Sequence, residues 1–205
     1  MQRSTVDRSA FNPGANLPFE LRPADFELAM QDIYDFFFDV NSALAQRGLD
    51  RLDEILRPAA MSGLLSDMLS ASLARHSRSL TENRYHNGHP DLLLKGIYPG
   101  NAVASAPVDH GIEVKSTQNR GGAVDTHGAR DQWMCVFVYQ AFPERDTPTS
   151  QRQSMKFLNV YLAQVTRDDF RRNQRGELGT RTATLNQGGL AKLRASWVYR
   201  GEAAS

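Results

Sequence analysis

One cysteine, Cys135, stands in 205 residues. Disulfides within one chain and cysteine-based zinc sites are thereby excluded, and a reducing cytoplasm is the expected compartment. No apolar run approaches the roughly 20 residues that a membrane span needs, so no membrane partner is expected. The leading Met-Gln-Arg-Ser-Thr-Val-Asp lacks the apolar core of a signal peptide. An excess of either charge is lacking too: 24 basic and 23 acidic side chains leave a net charge of +1, which does not advertise a polyanion partner. Its distribution says more. Residues 1–109 carry ten basic and fourteen acidic side chains, whereas residues 110–205 carry fourteen and nine. A polyanion would be held mainly by the C-terminal half.

What is present fits one globular domain with its own core and a helical extension, since the chain is 40% hydrophobic and 23% charged; the helix and strand patterns below read as α/β. Residues 1–80 read as an α-helical region for support or dimerisation, and residues 81–205 as the core that carries the chemistry. Pro23-Ala24-Asp25 opens a helix to about Arg47, with Phe26, Ile33, Phe37 and Val40 at three- and four-residue steps. Phe36, Phe37 and Phe38 cannot all face one core, so a partner is expected to cover some of them. Leu52 to Leu56 predicts a short helical turn ended by Pro58. Ser62 to Leu80 predicts a third helix with Leu65, Met68, Leu69, Leu73 and His76 on one face.

The texture then changes to strands and turns. Asp91–Tyr98, Asn101–Pro107 and His110–Thr117 read as strands, with Pro99-Gly100-Asn101 a turn. Trp133–Tyr139 is apolar almost throughout, as expected of a strand buried on both faces. Phe157–Val165 is another strand, and Arg167–Arg172 resembles a short helix opened by Thr166.

Two short stretches carry the chemistry: Pro90-Asp91 and Glu113-Val114-Lys115, which is the only Glu-x-Lys in the chain. In a strand, Glu113 and Lys115 share a face because side chains alternate. A charged pair among Ile and Val needs a reason, since burying charge is costly unless it is paired or metal-bound. Hydrolysis of a phosphodiester needs a nucleophilic water and a divalent ion against the charge building on phosphate. Hard Mg²⁺ takes oxygen ligands and keeps waters, so one or two carboxylates suffice. Asp91 and Glu113 would supply them, with the Val114 carbonyl as a further ligand. Lys115 would orient water or stabilise the crowded phosphate.

This constellation resembles the PD-(D/E)xK nuclease superfamily, which includes many type II restriction endonucleases. The matching residues are Pro90, Asp91, Glu113, Val114 and Lys115, and the likeness covers roughly residues 62–140. It implies a restriction-endonuclease-like core, a central mixed β-sheet flanked by helices, preceded here by the α-helical N-terminal region. It also implies Mg²⁺, with Mn²⁺ able to substitute, and catalytic roles for Asp91, Glu113 and Lys115. Members often add an acidic residue from the preceding helix, for which Glu82 is the expected metal ligand. Gln132 could lie beside Lys115, a position that some exonuclease-like relatives use; the Gln-x-x-x-Tyr spacing of those relatives is absent, since Tyr139 lies seven positions after Gln132.

Polar loops follow the proposed catalytic strand. Gln118, Asn119, Arg120 and Arg130 have the side chains that read base edges in the major groove. His127 is expected near the scissile phosphate. Farther on, Arg181 among the basic residues of the C-terminal half is expected to track the DNA backbone. His86 and His89 flank Asn87-Gly88 and could touch phosphate. The expected activity is therefore an endonuclease on double-stranded DNA of restriction type, working as a homodimer so that two sites cut two strands. Competing expectations are a repair or mobile-element nuclease acting on branched, modified or single-stranded DNA, and a non-catalytic binding module on the same fold.

Overall fold

Pro23 sets the backbone for the first turn of helix α1 (Pro23–Gln46), and Asp25 closes that turn by accepting the Arg22 N–H at 2.8 Å. The buried face of α1 is Phe26, Ala29, Met30, Ile33, Tyr34 and Phe37, at the helical spacing expected. The structure is a computed structural model describing residues 2–122, 124–126, 128–141, 148, 151, 155–172 and 182–201. Of the three consecutive phenylalanines, Phe37 is buried, Phe36 packs edge-on against it, and the Arg3 guanidinium lies 4.4 Å from the Phe38 ring centre. All three thus have contacts inside the chain.

Helix α2 (Leu52–Ile55) is a single turn held by Arg51 and Asp53, an ion pair with both side chains 1% exposed. Asp53 also accepts from Asn41 Nδ2 at 2.6 Å, which ties α2 to α1. Removing one partner of a buried pair strands the other charge. Asp53→Asn is therefore expected to destabilise the fold by about 3 kcal/mol, read from the urea midpoint at constant slope.

Helix α3 (Pro58–His76) begins at Pro58 instead of after it. Proline is welcome at the first helical position, where its missing N–H has no intrahelical acceptor, so it starts this helix where the sequence reading has it end α2. Strand β1 (Leu80–Glu82) follows, then β2 (Leu92–Leu94), β3 (Gly111–Thr117), β4 (Asp125–Thr126) and β5 (Gln132–Ala141). After these come β6 (Met155–Val165), β7 (Phe170–Arg172), β8 (Ala183–Leu185), α4 (Gln187–Ala195) and β9 (Trp197–Arg200).

The fold is α/β. A mixed six-stranded sheet has the order β1-β2-β3-β5-β6-β9, parallel only at β3–β5, and β4-β8-β7 form a second, three-stranded sheet. Helices α1 and α3 cover one face of the larger sheet, burying Val114, Cys135, Phe137, Tyr139 and Phe157. The opposite face holds Met134, Val136, Val138 and Ala163, packed with Leu193 of α4 and with Ala183 and Leu185 of the smaller sheet.

Three segments depart from the sequence expectation. The strand predicted over Asp91–Tyr98 is only Leu92–Leu94, because a turn follows in which Gly96 has φ +80°. No strand forms over Asn101–Pro107. There Pro99–Asn101 is a 3-10 turn, Pro107 offers no N–H, and Ser105 makes a lone bridge to His89. Arg167–Asp169 is a 3-10 turn that passes directly into β7, so the short helix stops after one turn.

Candidate functional site

Alternation along β3 divides its side chains between the two faces. Ile112 and Val114 enter the core under α1 and α3, so Glu113 and Lys115 emerge on the other face. Their register partners in β5 are Met134 and Val136. Asp91 immediately precedes β2, whose Leu92 pairs with Ile112. That pairing carries Asp91 over β3, where Oδ2 accepts the Val114 N–H at 2.8 Å. Lys115 Nζ lies 2.6 Å from Glu113 Oε1 and 4.0 Å from Asp91 Oδ2. The structure thus brings the three sequence-selected groups into contact. The backbone group of Val114 that engages a carboxylate is its N–H, bonded to Asp91.

The loop before Asp91 is braced by Asn83, which belongs to no motif in the chain. Asn83 Nδ2 donates to the carbonyls of Pro90 and Val103, and its Oδ1 accepts from the Val103 N–H. Gly88 lies so close that a Cβ there would sit 2.5 Å from Asn83 Nδ2. This bracing seats His89 with Nδ1 2.8 Å from Glu113 Oε2, though without a directed hydrogen bond to that oxygen.

Asp67, His89, Asp91, Glu113, Lys115 and Arg130 line a cleft of about 560 Å³, with Gln132 buried in its wall. Glu82 is not among them. Helix α3 ends at His76, so Glu82 falls on β1, exposed and outside the cleft, instead of at the helix end. The helix carboxylate that does reach the cleft is Asp67, and its charge helps hold the Lys115 ammonium. One signal could have found it: Asp67 is the only acidic residue of α3.

The DNA-contact candidates scatter. Arg130 lines the cleft. Gln118, Asn119 and Arg120 are exposed just beyond β3 and outside the cleft. Gln118 Nε2 donates to Tyr139 Oη at 3.3 Å, and Arg120 donates to Gln140 Oε1 at 3.1 Å. Asn119 Oδ1 accepts the Gly121 N–H. His86 is exposed on its loop. His127 and Arg181 lie outside the described residues.

Electrostatics separates the two carboxylates. Burial, and then the negative charge of Glu113, push the Asp91 carboxyl up to about 6, against the pull of Lys115. Burial would raise Glu113 too, but the contacts from His89 and Lys115 outweigh it and hold Glu113 well below the usual range. Burial would lower Lys115, yet Glu113 and Asp91 keep it raised and charged. A depressed carboxyl stabilises the fold above its unfolded pKa and loses that contribution as pH falls toward the folded value. Glu113→Gln is therefore expected to lower apoprotein stability at pH 7, with the gap to wild type closing below about pH 4. Urea midpoints from pH 3 to 8 check this; a gap that widens in acid contradicts it.

The donor set fits a hard divalent cation. Asp91 resists ionising beside a second carboxylate. A cation between Asp91 and Glu113 relieves that repulsion. Among the described residues no group of three or more His, Cys, Asp or Glu is placed to hold a metal ion; Mg²⁺ keeps several waters and is often bound through one or two carboxylates. No family model, curated protein or solved structure matches the chain. Among the described residues no helix is long and apolar enough to cross a membrane.

Proposed function

We propose that this chain is a Mg²⁺-dependent endonuclease of restriction type, hydrolysing phosphodiester bonds of double-stranded DNA on a restriction-endonuclease-like core. The observation that carries the reading is the convergence of Asp91, Glu113 and Lys115 in one cleft from separate strand contexts. A structural ion pair on an edge strand would need no second carboxylate, and β3 is an interior strand.

Asp91, Glu113 and the Val114 carbonyl would hold the ion, with Mn²⁺ as an accepted substitute. When bound, the ion supplies positive charge against the phosphoryl group and acidifies water. Lys115 keeps its proton beside the carboxylates, so its ammonium offsets charge that grows on the phosphoryl oxygens as water attacks. The Val114 N–H holds Asp91 in place, and His89 stands beside Glu113, so both carboxylates are positioned before substrate arrives. Arg130 meets the incoming phosphate at the cleft lining. Water oxygen bonds to phosphorus, one P–O bond to the sugar breaks, and the departing oxygen takes a proton. A homodimer is proposed, because one site per chain cuts one strand.

Supercoiled plasmid incubated with the protein and excess Mg²⁺ is expected to give discrete linear fragments on a gel. Excess EDTA is expected to stop cleavage completely, and Mn²⁺ to restore it. Cleavage that persists in EDTA, or none with either ion at low salt, contradicts the proposal. Smeared products instead of fragments would point to a structure-selective nuclease.

A further inference from the structure

One buried polar atom in the cleft wall has neither a hydrogen bond nor an ion-pair partner: Gln132 Nε2. It is a neutral donor on a residue only 3% exposed, and the roles given above do not use it. A buried donor left unpaired is disfavoured, so such a group in a cleft wall points to a ligand atom that accepts from it.

Strand parity aims Gln132 at the site. It opens β5 two residues before Met134, so it shares the face of Met134 and Val136. Met134 and Val136 stand opposite Glu113 and Lys115 in the parallel register. Gln132 therefore lies one step along the same face from Glu113. The chain holds it through β6, where Gln132 pairs with Val165.

We propose that Gln132 binds the phosphodiester, donating from its side-chain amide to a non-bridging phosphoryl oxygen. This rests on the nuclease reading above. The amide N–H carries no formal charge and does not bind a cation, so it complements Lys115 without disturbing the carboxylates. Its depth decides between phosphate and base. A glutamine that reads an adenine edge must project into a groove, whereas Gln132 is nine-tenths buried beside the charged residues and meets only a group drawn in to them.

The test uses Gln132→Leu, which keeps the bulk and removes the donor, and Gln132→Glu, which puts negative charge at the same place. Gln132→Leu is expected to lower kcat/KM for plasmid cleavage by about 10–100-fold, and Gln132→Glu by more. The melting temperature of Gln132→Leu is expected to equal or exceed that of wild type, because an unpaired polar group has been removed. A purely structural role, or a structural water held by the amide, would instead lower the melting temperature and leave kcat/KM near wild type. In wild type the Gln132 side-chain amide NMR signals are expected to move when a short DNA duplex is added with Ca²⁺, and with inorganic phosphate. If wild type cleaves and Gln132→Leu cleaves equally well, the role of Gln132 is overturned and the nuclease reading stands. If wild type does not cleave but the amide signals move with inorganic phosphate, Gln132 is upheld as a phosphoryl ligand and the nuclease reading falls. If there is neither cleavage nor movement, both fall.

Discussion

Asp91→Asn is expected to remove Mg²⁺-dependent cleavage, by about 10³-fold or more, in a protein that stays folded and becomes slightly more stable. The two effects have one cause. Asp91 is held over β3 by the Val114 N–H, where burial and Glu113 oppose its ionisation. Asparagine keeps an oxygen for that N–H but cannot carry the charge a hard cation needs. Because the folded pKa of Asp91 is raised from 3.8 to about 6, the sign is opposite to that of an ordinary ion-paired aspartate. Below about pH 4 both folded and unfolded chains hold the proton, and Asp91 contributes nothing. Between about 4 and 6 the unfolded chain alone releases it, so wild-type stability falls as pH rises. Above about 6 the penalty is constant. Asp91→Asn should therefore gain about 1 kcal/mol at pH 7–8 and nothing at pH 4; the figure is kept small because solvent reaches the open side of Asp91 and screens it. Its side chain is 33% exposed. Lys115→Ala should lose cleavage to a similar degree, since the ammonium 2.6 Å from Glu113 is the nearest cation to the carboxylates. Gel assays at several Mg²⁺ concentrations and urea curves at pH 4 and 8 read these outcomes. Near wild-type cleavage in Lys115→Ala removes that lysine from the mechanism. An Asp91→Asn protein that cleaves normally removes the site.

Gly111→Ala is expected to destabilise the chain by about 4 kcal/mol or more, or to prevent folding. The reason is steric. Gly111 has φ 172°, an extended backbone open to any residue. A Cβ there, however, would lie 1.9 Å from the Leu92 carbonyl oxygen and 2.7 Å from Pro90 Cγ. Neither can retreat, because Leu92 and Leu93 pair with Ile112 and Gly111 in the same ladder. The close approach also carries Asp91 to the Val114 N–H, so relieving the clash by separating β2 from β3 would dismantle the site as well. Thermal unfolding and plasmid cleavage should fail together. A Gly111→Ala protein within about 1 kcal/mol of wild type would show that β2 moves freely over β3.

How legible a segment was depended on whether its neighbours are close in the chain. The buried stripe of α1, the apolar β5 and the long β6 are visible as local patterns, because each buries its own periodic residues. Strands β4, β7 and β8 are two or three residues long and stabilise one another across large separations, as Asp125 opposite Thr184 does. No local pattern of that length distinguishes them from loop. The same limit explains the misplaced acidic residue. Glu82 is near Asp91 in sequence, but Asp67 reaches the cleft through the crossing of α3 over β3, where Ser66 Oγ accepts the Ser116 N–H. The bracing by Asn83 also comes from contacts with groups that sequence order does not place beside it.

From the sequence alone, alternation determined that Glu113 and Lys115 share one face of β3 while Ile112 and Val114 share the other. It also determined that Asp91 abuts a strand. Only the tertiary structure decided which of those faces opens to a cleft, and which carboxylate, amide and histidine meet there. A period of two determines relative orientation within a strand, whereas the absolute orientation depends on where α1 and α3 pack and leave the opposite face partly uncovered.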